Sequence, residues 1–201
     1  MTKNPEHLRI LLLAGGKSQR MGTDKASLLY NGQTQLERMV KLVQPLQIPV
    51  HLSLRPDQSP PEGISLSPIL DRDEFANSGP LGGMLSALTE YPEEAFLVIA
   101  CDLPFLDLPT LQFLINNRSE AHLATAFKSH HDGLPEPLCA IWEPHCTSLI
   151  IEKLQSEIRC PRKILIQENT LLLDLPNPEA LDNINTPEEY EEALSRITLL
   201  K

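Results

Sequence analysis

The sequence predicts an α/β fold built on a mostly parallel sheet, and three observations carry that expectation. Apolar runs of strand length alternate with longer stretches of helical period, the pattern of a βα succession. The first run, Leu8–Ala14, is apolar almost throughout, as a strand covered on both faces must be. The 201 residues, 41% hydrophobic and 22% charged, are enough to fill a core and argue against disorder.

Leu8–Ala14 is therefore the first strand. Leu36, Met39, Val40 and Val43 stand at helical spacing and predict a helix over Gln35–Gln44. Val50–Leu54 is the second strand, followed by the proline-rich Pro56–Pro61 and a short strand, Leu66–Leu70. Pro80–Tyr91 reads as a helix and Ala95–Ala100 as a central strand. Leu108–Asn116 is helical, with Asp107 placed to cap it and Pro109 tolerated in its first turn. His122–Phe127 and Leu138–Trp142 are strands joined by a polar loop, Lys128–Pro137. Pro144–Ser156 and Pro161–Gln167 are helices, and Thr170–Leu175 is a strand. The last helix has Thr186 as N-cap, Pro187 at its first position and Glu189 completing a capping box. Eighteen prolines against nine glycines favour rigid turns. No repeat, low-complexity tract or shift in composition appears, so residues 1–201 are expected to form a single domain.

Charge narrows the function. Seventeen Lys and Arg against 27 Asp and Glu give a net charge of −10, which excludes a general nucleic-acid binder and a binder of anionic membranes. The apolar runs, Ile10–Ala14 among them, fall far below the ~20 residues of a membrane span. The N-terminal residues show no secretory signal, so the cytoplasm is the expected compartment. Cys101, Cys139, Cys146 and Cys160 include no CxxC pair; they are expected to be reduced thiols, about half of them buried.

Against that acidic background, Gly15 to Lys25 holds three cations (Lys17, Arg20, Lys25) and one anion (Asp24), a local charge of +2. This stretch leaves the end of the first strand, where open α/β sheets place ligands. Gly15 and Gly16 let the backbone curve tightly and offer N–H groups to an anion or a base edge. Neither GxxxxGK[ST] nor GxGxxG is present. Asp102 ends the strand Ala95–Ala100 and would emerge at the same sheet edge. Hard divalent cations such as Mg²⁺ use one or two carboxylates plus substrate phosphates, so one Asp facing a basic loop fits a metal–triphosphate site. Its plainer reading is a turn former before Leu103-Pro104.

Asn183 and Asn185 alternate across Ile184 and point the same way if extended; they either bind metal or ligand or satisfy turn backbone. Gly79-Pro-Leu-Gly-Gly83 brings glycines to a helix start, either for anion binding or for close packing. Asp71 and Asp73 flank Arg72 in what otherwise reads as a solvated turn. His130 and His131 beside Asp132 lack firm metal-ligand spacing. No GxSxG elbow or Cys–His pair suggests covalent catalysis.

Leu13-Ala-Gly-Gly-Lys-Ser-Gln-Arg-Met-Gly-Thr-Asp-Lys25 resembles the opening signature of the molybdenum cofactor guanylyltransferases, within the wider nucleotidyltransferase family. The likeness continues through Gly79-Pro-Leu-Gly-Gly-Met-Leu-Ser-Ala87, Cys101-Asp-Leu-Pro104 and Asn183-Ile-Asn-Thr-Pro-Glu-Glu189, in family order from about residue 8 to 192. It implies a Rossmann-like three-layer αβα nucleotidyltransferase fold and a Mg²⁺-dependent transfer of GMP from GTP to molybdopterin, with release of pyrophosphate. Leu13, Ala14, Gly15 and Gly16 would then lie along the nucleotide, and Lys25, helped by Arg20, would meet its phosphates. Asp71 matches a family aspartate near the guanosine. Its spacing to Gly79 is one residue longer than the family pattern, which leaves Asp73 as the alternative.

By the same resemblance Gly82 contacts substrate and Asp102 holds Mg²⁺. Asn183 serves the substrate side and Asn185 the metal. The stretch His51–Arg55 departs from the family, which often has an asparagine after the second strand. Gly15-Gly16 favours GTP, since the cytidylyl relatives tend to show Ala-Gly there. The alternatives are CTP with molybdopterin, a sugar-phosphate acceptor, or a catalytically idle nucleotide-binding subunit. Lys128, His130, His131, Asp132, Arg159, Arg162 and Lys163 are candidates for the acceptor site. The implied partners are the two substrates, with transient contact to cofactor-biosynthesis proteins or acceptor molybdoenzymes. A monomer is the default.

Overall fold

The structure, a computed structural model, describes residues 6–14 and 25–199, with backbone only for Lys25, Thr198 and Leu199. The elements in chain order are β1 (Leu8–Leu13), β2 (Leu29–Tyr30), β3 (Gln33–Thr34), α1 (Gln35–Val43), β4 (Val50–Leu54), β5 (Ser67–Leu70), α2 (Pro80–Glu90) and β6 (Ala95–Ala100). Then follow α3 (Leu108–Asn116), β7 (Ala124–Lys128), β8 (Pro135–Trp142), α4 (Cys146–Gln155), α5 (Pro161–Gln167), β9 (Thr170–Leu173) and α6 (Pro187–Leu199).

Seven strands form one sheet in the order β5-β4-β1-β6-β8-β7-β9. Only β8 runs against its neighbours, so the sheet is mostly parallel, as the sequence predicts. Alternation along the strands feeds two cores. Ile10, Leu12, Leu52, Leu97 and Ile99 face one side, where α1 and α3 cover them with Leu36, Met39, Val43, Leu111 and Leu114. Leu11, Phe96, Val98, Ala140 and Trp142 face the other, under Leu81, Leu85, Ile150 and Ile164 of α2, α4 and α5. Helices on both faces of the sheet make a three-layer αβα fold, and they explain why β1 is apolar on both sides.

Several boundaries differ for local reasons. The expected loop Lys128–Pro137 is largely a hairpin, because β7 extends through Lys128 and β8 begins at Pro135. Pro135 and Pro137 are tolerated there because β8 pairs with β6 only over Cys139–Trp142. Pro135 and Pro137 thus need no ladder N–H on that side. The first helix stops at Val43 and tightens into a 3-10 turn over Gln44–Leu46, which holds Pro45. A further hairpin, β2–β3, turns on Asn31-Gly32, both at positive φ (52° and 80°). Three cysteines rather than two are buried, with Cys160 exposed; burial pushes the Cys139 thiol up to about 12.

α6 packs on this small hairpin. Tyr30, Ile184 and Ala193 form a third cluster with Phe105 and Tyr190, and the Tyr190 hydroxyl donates to the Leu29 carbonyl at 2.6 Å. Among the described residues, no helix is long and apolar enough to cross a membrane.

Candidate functional site

A parallel sheet gathers the C-terminal ends of its strands at one edge, and β5, β4, β1 and β6 are consecutive there. Leu13 at the end of β1 is in register with Ser53 on one side and Ala100 on the other. Pairing continues past the strand: the Ala14 N–H donates to Ser53 O at 3.3 Å, and the Cys101 N–H to Leu13 O at 3.4 Å. Asp71 follows β5, its N–H donating to Leu54 O at 2.9 Å. The chain at Ala14 thus stands between the strand ends that lead to Asp71 and Asp102. The strands that lead to them, β5 and β6, are three strand spacings apart, about 14 Å at ~4.8 Å per spacing.

Asp71 is half-buried, and burial raises its carboxyl above the usual 3.8, against the lowering effect of the Ser53 hydroxyl. Ser53 donates to its Oδ1 at 3.4 Å. The glycine-rich start of α2 packs on this pair. A Cβ on Gly83 would collide with Ser53 Oγ and sit 3.2 Å from Asp71 Oδ1; one on Gly82 would lie 3.0 Å from Phe75 O and 3.5 Å from Asp71 Oδ2. These glycines allow a close approach of helix to strand. The neighbouring Asp73 is exposed, at the start of a 3-10 turn, Asp73–Phe75.

The Asn segment reaches Asp102 through the backbone. The Ile184 N–H donates to Asp102 O at 3.2 Å, and Asn185 Nδ2 donates to Asn183 Oδ1 at 3.0 Å, so both amides lie on one side of the segment. Thr186 and Glu189 close the predicted capping box, with the Glu189 N–H on Thr186 Oγ1 at 3.2 Å and the Thr186 N–H on Glu189 Oε2 at 3.1 Å. Tyr30 is buried within electrostatic reach of Asp102. Its burial, with Tyr190 and Asp102 nearby, pushes the phenol up to about 12, while Arg38, 4.8 Å over the ring, pulls it down. Between α1 and Leu103–Leu106 a cleft of about 350 Å³ opens, lined by Gln33, Arg38, Lys41 and Pro104 among others.

Gly15, Gly16, Lys17 and Arg20 lie outside the described residues, as does the side chain of Lys25. The Lys25 backbone opens a 3-10 turn, and the next residue, Ala26, is buried in one cluster with Ala14, Cys101 and Leu103. This brings the far end of the glycine-containing loop back to the Asp102 side of the edge. Of the acceptor candidates, Arg162 is committed to Asp132 at 3.1 Å and Glu136 at 2.8 Å, and Lys128 to Asp174 at 3.0 Å. Arg159 and Lys163 are exposed. Asp182 draws close to His130 and His131 instead of Asp132. Sequence reasoning missed Ser53, whose contact with Asp71 depends on strand register, and Tyr30; the only local signal for the latter's placement is Asn31-Gly32.

A family model described as "MobA-like NTP transferase domain" matches residues 10–170. A "Molybdenum cofactor biosynthesis bifunctional protein" of Synechocystis sp. is 36% identical over 183 residues, which is 90% of this chain and 52% of that protein. The chain thus spans about half the length of that relative. A "Probable molybdenum cofactor guanylyltransferase" of Nostoc sp. is 33% identical over 91% of this chain and 88% of its own length. The crystal structure of "Molybdopterin-guanine dinucleotide biosynthesis protein A" from Archaeoglobus fulgidus superposes with a TM-score of 0.78, covering 95% of this chain and 99% of that one. At 21% identity that likeness speaks for the fold.

Proposed function

This chain belongs to the MobA-like NTP transferase family, and on that premise we propose that it transfers GMP from GTP to molybdopterin and releases pyrophosphate. The guanylyltransferase names of relatives such as the Nostoc protein support the choice of reaction. The observation that carries it furthest is local. Asp71, Ala14, Asp102 and the Asn183–Asn185 segment share one sheet edge, the last two joined by the Ile184–Asp102 hydrogen bond at 3.2 Å.

In this reading a terminal phosphate oxygen of molybdopterin forms a bond to the α-phosphorus of GTP. The bond from that phosphorus to the bridging oxygen breaks, and pyrophosphate leaves with the electron pair. No enzyme nucleophile is needed, so positioning and charge compensation supply the rate. Asp71, or Asp73 in the alternative, accepts hydrogen bonds from the guanosine. Leu13, Ala14, Gly15, Gly16 and Gly82 give the nucleotide backbone to lie against, while Asn183 meets substrate. Lys25 and Arg20 neutralise charge growing on the leaving group. The donors Asp102 and Asn185, a carboxylate and an amide on hydrogen-bonded segments, fit a hard cation that completes its shell with phosphate oxygens. Mg²⁺ bound there would supply charge neutralisation between the two polyanions. The same reading makes residues 1–201 a single catalytic domain working as a monomer in the cytoplasm, with transient contact to proteins of cofactor assembly.

Pyrophosphate release by the purified protein with Mg²⁺ and molybdopterin, GTP and CTP in competition, tests it. GTP is expected to be consumed in preference. A preference for CTP overturns the choice of base, and no release with either overturns the reaction.

A further inference from the structure

Away from the Asp71–Asp102 line, two imidazoles and a carboxylate meet, and we infer that His130, His131 and Asp182 form a binding site for a zinc-class divalent cation. His131 Nε2 lies 2.9 Å and His130 Nε2 3.8 Å from the same oxygen, Asp182 Oδ1. The two rings stand 3.7 Å apart, centroid to centroid. One ligand atom from each residue falls within 4.8 Å of the others. Imidazole nitrogen selects borderline cations over Mg²⁺. Two His with one carboxylate are a three-ligand set that leaves further positions for water or a substrate oxygen.

The frame around the trio is already ordered. His130 and His131 ride on the tip of the β7–β8 hairpin, closed by the Ser129 N–H on Leu134 O and the Gly133 N–H on Ser129 O, both at 2.8 Å. The left-handed turn at Gly133 (φ 70°) makes that closure short. Asp132, the carboxylate nearest in sequence, is turned away: its Oδ1 accepts from the Leu134 N–H at 3.0 Å and its Oδ2 from Arg162 at 3.1 Å. The third ligand therefore comes from 51 residues further on. Asp182 is itself fixed by its N–H on Glu179 O at 3.0 Å. It sits three residues before Asn185, so a cation held here ties the hairpin tip to the segment bonded to Asp102.

Titration of the metal-free full chain with ZnCl₂ against a chromophoric chelator tests the site with no nucleotide present, so its result is independent of the proposed reaction. One equivalent of Zn²⁺ is expected to bind and to resist Mg²⁺ in large excess. His131→Ala and Asp182→Asn should each weaken binding at least about tenfold, while His122→Ala and Cys160→Ser leave it unchanged. Co²⁺ should give visible absorption bands that His131→Ala removes. His131 is 67% exposed, so its truncation leaves folding intact. Absence of saturable binding, affinity in His131→Ala and Asp182→Asn equal to that of the parent chain, or loss in Cys160→Ser overturns the site.

Discussion

A carboxylate at residue 102 and an ammonium at residue 25 are the two charges on which the proposed transfer most depends. Asp102→Ala and Lys25→Ala are each expected to lose 10²-fold or more in turnover, the scale of removing one preorganised electrostatic contact. Pyrophosphate release by the folded variants checks this, and turnover near that of the parent chain would remove the residue from the machinery. Gly83 makes a different kind of prediction. Alanine is the better helix former by about 1 kcal/mol, so propensity alone says that Gly83→Ala stabilises α2. Its Cβ, however, would run into Ser53 Oγ and crowd Asp71 Oδ1 at 3.2 Å. Overpacking of that kind typically costs about 1–3 kcal/mol, so the melting temperature should fall, and Ser53→Ala in the same chain should restore part of the loss. A stabilised single variant would mean that the helix and β4 can separate at no cost.

Elements whose signal is contained in their own residues were legible in the sequence. The strand ends that carry Asp71 and Asp102, the capped start of α6 and the Asp107 cap of α3 all lie where pattern and capping put them. Asp107 Oδ1 accepts from the Thr110 N–H at 2.8 Å; burial works against its ionisation, but hydrogen bonds from Asn177 and Thr110 outweigh it and hold the carboxyl below its usual range. The β8 extension was not legible, because Pro135 and Pro137 argue against a strand until the partner on one side is known to end at Cys139. Nor was the pairing that closes α3. Arg118 grips buried Glu143 with two bonds of 2.8 Å and reaches the Glu6 carbonyl at 3.1 Å, joining the end of α3, the end of β8 and the approach to β1. Nothing in the sequence between two residues 25 positions apart announces that pair. With the side chains 8% and 2% exposed, Arg118→Ala leaves a stranded buried charge and should cost about 3–5 kcal/mol in urea unfolding. Arg118→Met with Glu143→Leu should recover most of it, and failure to recover would mean that the pair does more than neutralise itself.

At the scale of the molecule, the site was legible as motifs but not as geometry: Ser53, Tyr30 and Asp182 owe their places to register, hairpin packing and a contact 51 residues long. The same long-range packing sets the response of the whole fold to acid. His51 on β4 is 5% exposed, between the rings of Tyr91 and Phe96, with Arg9 Nη1 at 3.2 Å from its Nε2 and its buried Nδ1 without a hydrogen-bond partner. Burial, and then the positive Arg9, hold its pKa below the ordinary 6.5, with only Glu90 pulling the other way. As pH falls below 6.5 the unfolded chain therefore takes up a proton that the folded chain refuses, and stability declines until the folded imidazole also titrates. Acid simultaneously reduces the self-repulsion of a chain at −10, which works in the opposite direction. Comparing the parent chain with His51→Gln separates the two, since both share the net charge above pH 6.5. Between pH 7 and 5 the parent should lose unfolding free energy more steeply than the variant in urea titrations. Parallel slopes would show that the buried ring accepts its proton as readily as water-exposed histidine does.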